Sequence, residues 1–226
     1  MKIGIISASE KNKKTQIEKI CDFGAVELYR LDVCLKRKGT LSKRIIKHLV
    51  KTLEEQGITI CVADKEFSVI SGYGITVVCD GRDVVLQRAG QAAMLFAERN
   101  GIDADFLIDG GSFNNVCLTS LFLLREKRRI YIKNAAFYEI SEEIFHETGA
   151  VVGCDEPEKI IRISMNSSEQ FISSGKLFAS LCDFRVVAEE LDFGWLSEEN
   201  KRALVSILEK SGFLEKKRVK IEYFLK

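Results

Sequence analysis

The residues in this chain best suited to chemistry are a lysine–threonine pair and a set of aspartates that close apolar runs. Lys14 and Thr15 end the segment Ala8-Ser9-Glu10-Lys11-Asn12-Lys13-Lys14-Thr15, which follows the apolar run Lys2 to Ser7. An ammonium beside a hydroxyl, at the start of a helix that follows a strand, can meet a phosphate and its Mg²⁺. In the full pattern, G-x-x-x-x-G-K-[ST], the glycines let backbone N–H groups wrap the phosphates, and the lysine and hydroxyl complete the grip. Both glycines are missing here. Ser, Glu and Asn would have to adopt special backbone angles, at roughly 1–2 kcal/mol per residue. The competing reading is a solvated basic turn of Lys11, Lys13 and Lys14, which opposes the dipole of a following helix.

The carboxylates come next. Asp32 lies near the end of the run Val26 to Val33, and Asp109 closes Asp105-Phe106-Leu107-Ile108-Asp109-Gly110-Gly111. An apolar strand delivering a carboxylate at its end has the form of a Walker-B strand, whose Asp supports Mg²⁺. Asp and Gly are also ordinary residues after a strand, and Ser112 an ordinary helix N-cap. Asp64, Asp80 and Asp109 all end strand-like runs and could hold Mg²⁺ together at a sheet edge. Gly110-Gly111-Ser112, before a helix from Phe113 to Leu124, could cradle an anion, although helix entry alone accounts for it equally well. His48 and His146 fall in helix-like segments with no nucleophile in a recognisable motif. Arg125, Lys127, Arg128 and Arg129 suit a solvated helix end.

These groups need elements to position them, and the dominant pattern is alternation. β-Branched runs recur at Lys2 to Ser7, Val26 to Val33, Ile58 to Ala63, Ile75 to Cys79, Ala104 to Ile108, Arg129 to Ile132 and Val151 to Cys154. Between them lie helix-period segments. In Leu41 to Gln56, Leu41, Ile45, Leu49 and Leu53 share a stripe that Gly57 stops, and a second helix spans about Arg88 to Asn100. The pattern predicts an α/β fold, a mostly parallel sheet with helices on both faces. Asp64 to Gly74 is short for a parallel crossover. Asp80-Gly81 precedes either a helix starting near Asp83, the favoured reading, or a hairpin to Asp83–Gln87. After Asn166 the texture becomes irregular, then gives a helix at Ser197 to Lys210 and an alternating strand at Arg218 to Leu225. The expected division is a core over 1–165 and a C-terminal α/β appendage over 166–226, either separate or part of the same domain.

In their order along the chain, the Lys14-Thr15 loop, Asp32, Asp109 and the late segment Gly149 to Ile161 resemble the deviant P-loop ATPases of the partition and septum-site positioning family. The resemblance covers residues 1 to 165 and implies a P-loop NTPase-like strand order, with the strand of Asp109 beside the first. It would make Lys14 the loop lysine with Lys11 near it, Thr15 and Asp109 the Mg²⁺ side, Gly110 part of the nucleotide site, and Asp32 the water-side catalytic carboxylate. Ser9 stands where the family's signature lysine belongs, and Glu10, Lys11 and Lys13 replace glycines. The implied protein is a degenerate relative, with hydrolysis weak or lost, acting through protein partners or self-association as a homo-oligomer. The alternatives are an active switch using ATP and Mg²⁺, and a small-molecule α/β enzyme using strand-end aspartates with Mg²⁺.

Composition narrows the field. Lys and Arg total 34 against 33 Asp and Glu, so no global field holds nucleic acid. The seven cysteines are never closer than the 13 positions from Cys21 to Cys34, which fits buried thiols in a reducing cytoplasm. The longest apolar stretch, Val116 to Leu124, has nine residues, too few to span a bilayer. A cytoplasmic protein is the expectation.

Overall fold

The computed structural model describes residues 1–9, 15–35, 41–166, 170–188, 191, 193–215 and 218–223. In chain order its elements begin with β1 (Lys2–Ser9), β2 (Gln16–Asp22), β3 (Glu27–Cys34), α1 (Lys43–Gln56), β4 (Ile60–Ala63), β5 (Thr76–Val78), α2 (Arg82–Leu86) and α3 (Ala89–Asn100). They continue with β6 (Asp105–Asp109), α4 (Phe113–Arg125), β7 (Ile130–Lys133), α5 (Phe137–Thr148), β8 (Ile160–Met165), β9 (Gln170–Ser174), β10 (Leu177–Ser180), β11 (Phe184–Val187), α6 (Glu198–Lys210) and β12 (Lys220–Tyr223). The chain is α/β, but instead of one mostly parallel sheet the described residues form two five-stranded mixed sheets and a two-stranded one. It divides into two compact units, Met1–Gly81 with Phe193–Arg218 and Arg82–Asp192 with Val219–Lys226.

In the first unit the strand order is β2-β3-β1-β4-β5. β3, β1, β4 and β5 are mutually parallel, and β2 runs antiparallel along the edge of β3. The helix expected to open at Thr15 is therefore a strand. Gln16-Ile17-Glu18 alternates with period two, and a register shift between Lys19 and Cys21 absorbs the break that follows. α1 forms where its stripe predicts: Ile45 N–H donates to the Ser42 hydroxyl, and Gly57 ends the helix at φ 69°. Its Ile46, Leu49, Val50 and Leu53 bury against Ile6, Leu31 and Val33 of the sheet. The short stretch between β4 and β5 is a parallel crossover after all, made by a 3₁₀ helix, Lys65–Tyr73. At about 2.0 Å rise per residue such a helix covers more length than an α-helix of equal size, and it buries Phe67 and Ile70.

In the second unit the order is β10-β9-β8-β6-β7. β6 lies parallel between β7 and β8, and β9 and β10 extend the sheet antiparallel. The expected strand at Val151 to Cys154 reduces to one bridge, Gly153 to Tyr131. A helix, α2, follows Gly81, so the hairpin is not formed. The boundary expected after Met165 falls inside the β8–β9 pair, where Met165 faces Gln170. The final strand likewise belongs to this unit: β12 pairs with β11, Val219 and Ile221 are buried, and the Arg99 guanidinium lies 4.2 Å from the Tyr223 ring. No helix among the described residues is long and apolar enough to cross a membrane.

Candidate functional site

The second sheet has a place where its parallel strands change direction of growth. From β6 the chain passes through α4 to β7 on one side, then through α5 to β8 on the other. In open α/β sheets a crevice opens at such a reversal, outside the carboxyl ends of the strands. Three loops meet there: Gly110-Gly111-Ser112 after β6, Asn134 after β7 and Asn166 after β8.

The backbone of the first loop requires glycine. Gly110 and Gly111 have φ of 74° and 93°. A Cβ at Gly110 would sit 1.9 Å from Asn166 Oδ1, and one at Gly111 would sit 2.9 Å from Met165 Cβ. Asn134 fastens the turn from the other side. Its Nδ2 donates to the Gly111 carbonyl at 3.1 Å, and its Oδ1 accepts from Ala136 N–H at 3.0 Å. Ser112 occupies the N-cap position of α4, yet its hydroxyl makes no capping bond. The first-turn amides of a 13-residue helix are thus left without a side-chain cap. Ser112, Phe113 and Asn114 are exposed, as is Lys133 at the end of β7. Uncapped amides at the positive end of a helix suit an anion.

Asp109 is already engaged. Arg162 Nη1 donates to its carboxylate at 2.9 Å, and the other Arg162 nitrogen reaches Glu156. A carboxylate neutralised inside the fold is a poor ligand for Mg²⁺, and no group of three His, Cys, Asp or Glu able to hold a metal exists among the described residues.

The other sequence candidates are distributed between the units. Asp32 stands on β3 of the first unit, where its Oδ1 accepts from the Ser7 hydroxyl at 2.7 Å and from Arg30 Nε at 3.0 Å. Thr15 immediately precedes β2, and Lys11 and Lys14 lie outside the described residues. β1 has β3 and β4 as neighbours, and β6 has β8 and β7, so Asp32 and Asp109 occupy different sheets and the strand of Asp109 is not beside the first. The ATP and Mg²⁺ set expected from Thr15, Asp32 and Asp109 is not brought to one sheet edge. Asp64 and Asp80 belong to the first unit and Asp109 to the second, so this trio does not share an edge either. Asp64 accepts from Asn200 Nδ2 at 3.1 Å. Burial, then the charge of Asp64, pushes the neighbouring Cys79 thiol up. All seven cysteines are free, and burial pushes Cys61 up to about 12. His48 and His146 are exposed on α1 and α5.

No family model matches the chain, nor does any curated protein or solved structure. Geometry therefore carries the functional reading. Sequence reasoning found the Gly110-Gly111-Ser112 turn and missed Asn134, Asn166 and Arg162. A signal was present for the two asparagines: each directly follows the last residue of an apolar strand, the position that faces the crevice of a parallel sheet.

Proposed function

We propose that the protein binds a small phosphate-bearing molecule at the carboxyl edge of β7, β6 and β8, in the manner of a small-molecule α/β protein. The observation that carries this reading is the Gly110-Gly111 turn. It lies where the strand order reverses, is clamped by the loops of both neighbouring strands, and opens onto the uncapped amides of α4. Ser112 and Lys133 are the side chains at hand to meet phosphate oxygens. The ligand binds without Mg²⁺ held by Asp109, because Arg162 occupies that carboxylate. The ATP and Mg²⁺ switch has less support, since Thr15 leads into a strand. Self-association keeps one supporting observation: the edge strand β10 exposes Leu177 at 44% and Phe178 at 63%. Loss of a dimer signal in light scattering on Phe178→Glu would favour it, and a monomeric wild type would dismiss it.

The test of the main reading is a melting series with AMP and inorganic phosphate in the absence of divalent metal. A ligand at a hundredfold its dissociation constant stabilises the native state by about 2.7 kcal/mol. At roughly 2–4 °C per kcal/mol for a chain of this size, the expected rise is about 5–10 °C. No rise with either compound at millimolar concentration contradicts the proposal.

A further inference from the structure

The first unit carries a second polar site, on the sheet face opposite α1. Leu31 and Val33 of β3 point into the core with α1, so strand alternation turns Arg30 and Asp32 to the other face. Ser7 of β1 pairs in register with Asp32, while Gln16 and Glu18 of β2 face Asp32 and Arg30. Together they give that face a polar patch. A cleft of about 350 Å³ opens there, lined by Gln16, Ile17, Glu18, Arg30 and Asp32.

Arg30 is held on two sides. Asp32 accepts from its Nε at 3.0 Å, and Trp195 lies against the guanidinium with its ring centroid 4.5 Å away. Ser7 in turn fixes Asp32 at 2.7 Å. The guanidinium is therefore locked in direction, while its two outer nitrogens have no protein partner among the described residues. A fixed planar fork with free donors matches a carboxylate. The same cleft holds the carboxylates of Glu18 and Asp32, and Glu18 has no partner among the described residues. A simple anion would meet two carboxylates and a simple cation would meet the guanidinium. A molecule carrying both charges satisfies every group.

We infer that this cleft binds a zwitterion of amino-acid size, with its carboxylate on the outer nitrogens of Arg30 and its ammonium between Glu18 and Asp32. Trp195, the chain's single tryptophan, lies against the Arg30 guanidinium and reports on it. This site is distinct in residues and chemistry from the phosphate site proposed in the second unit, and either can fail alone.

Trp195 also supplies the readout, because the full chain has one indole N–H resonance. The ¹⁵N-labelled protein is titrated with an equimolar mixture of L-amino acids, and separately with sodium acetate and with methylammonium chloride. The mixture should move the indole resonance saturably, and neither singly charged control should do so at the same concentration. Arg30→Gln should weaken the response at least about tenfold, the scale of one lost charge-assisted hydrogen bond. If Arg30→Gln does not fold, Glu18→Gln at the exposed edge strand serves instead, with the same expectation. An indole resonance that never saturates, an equal response to acetate or methylammonium, or a folded variant that binds like the wild type would each overturn the inference.

Discussion

Replacing single glycines in the second unit tests how rigidly the Gly110-Gly111 turn is held. Three positions with positive φ differ most in what surrounds them. Gly149, after α5, has φ 70° and nothing within 4 Å of an added Cβ. Gly149→Ala should therefore cost only the left-handed backbone penalty, about 1 kcal/mol. Gly111 has φ 93° and would place a Cβ 2.9 Å from Met165 Cβ, an atom fixed to the β8 backbone. Overpacking of that kind adds roughly 1–3 kcal/mol, so Gly111→Ala should cost about 2–4 kcal/mol in all. Gly110→Ala falls between the two, because the Asn166 side chain it strikes is exposed and can swing aside. All three lie in one compact unit, so the comparison holds the rest of that unit constant. With a urea slope of about 2 kcal/mol/M, the Gly111 and Gly149 variants should differ by about 1 M in midpoint. Coincident midpoints would refute the claim that β8 pins the turn.

Other outcomes follow from the same physical picture. Hydrogen bonds from Lys19 hold Asp22 and Glu27 below the usual carboxylate range, and those bonds, to Asp22 first, raise Lys19. The stabilisation should be complete between the ordinary carboxylate and lysine ranges and fade as acid protonates the pair; Lys19→Met should flatten the acid limb of a stability–pH curve, and an unchanged limb would count against the cluster. Iodoacetamide at pH 8 should modify the exposed Cys154 and Cys182 in the native protein, while the buried Cys61 reacts only on unfolding, as peptide mass mapping would record. Deleting residues 218–226 should remove the cooperative melt of the second unit, because buried Val219 and Ile221 go with them and Arg88 Nε loses its bond to the Val219 carbonyl. An unchanged melt would show β12 to be dispensable.

Helices α1, α3, α4 and α6 were legible in the sequence because their signals are local. The stripe of Leu41, Ile45, Leu49 and Leu53, the start at Ser197 and the stop at Gly57 all act within a few residues, whereas α5 was not delimited and the 3₁₀ crossover was not foreseen. β2 was not legible, because the lysine-rich sequence before it reads as a helix start and its bulge breaks the alternation at Lys19. Periodicity also carries no strand order. Asp32 and Asp109 could be recognised as carboxylates at strand ends, yet nothing local assigns them to different sheets. The clamps on the Gly110-Gly111 turn escaped for the same reason. Asn134 reaches Gly111 across 23 positions of sequence, and its partner there is a main-chain carbonyl that any residue would offer.

The most direct measurement of the phosphate-site proposal is an amide ¹H–¹⁵N titration of the full chain with AMP in metal-free buffer. The amides of Gly110, Gly111 and Phe113 to Asn115 should shift together and saturate, with the side-chain amides of Asn134 and Asn166 moving along the same curve. Saturable shifts confined to the first unit around Thr15, or none in the loops after β6, β7 and β8, would contradict it.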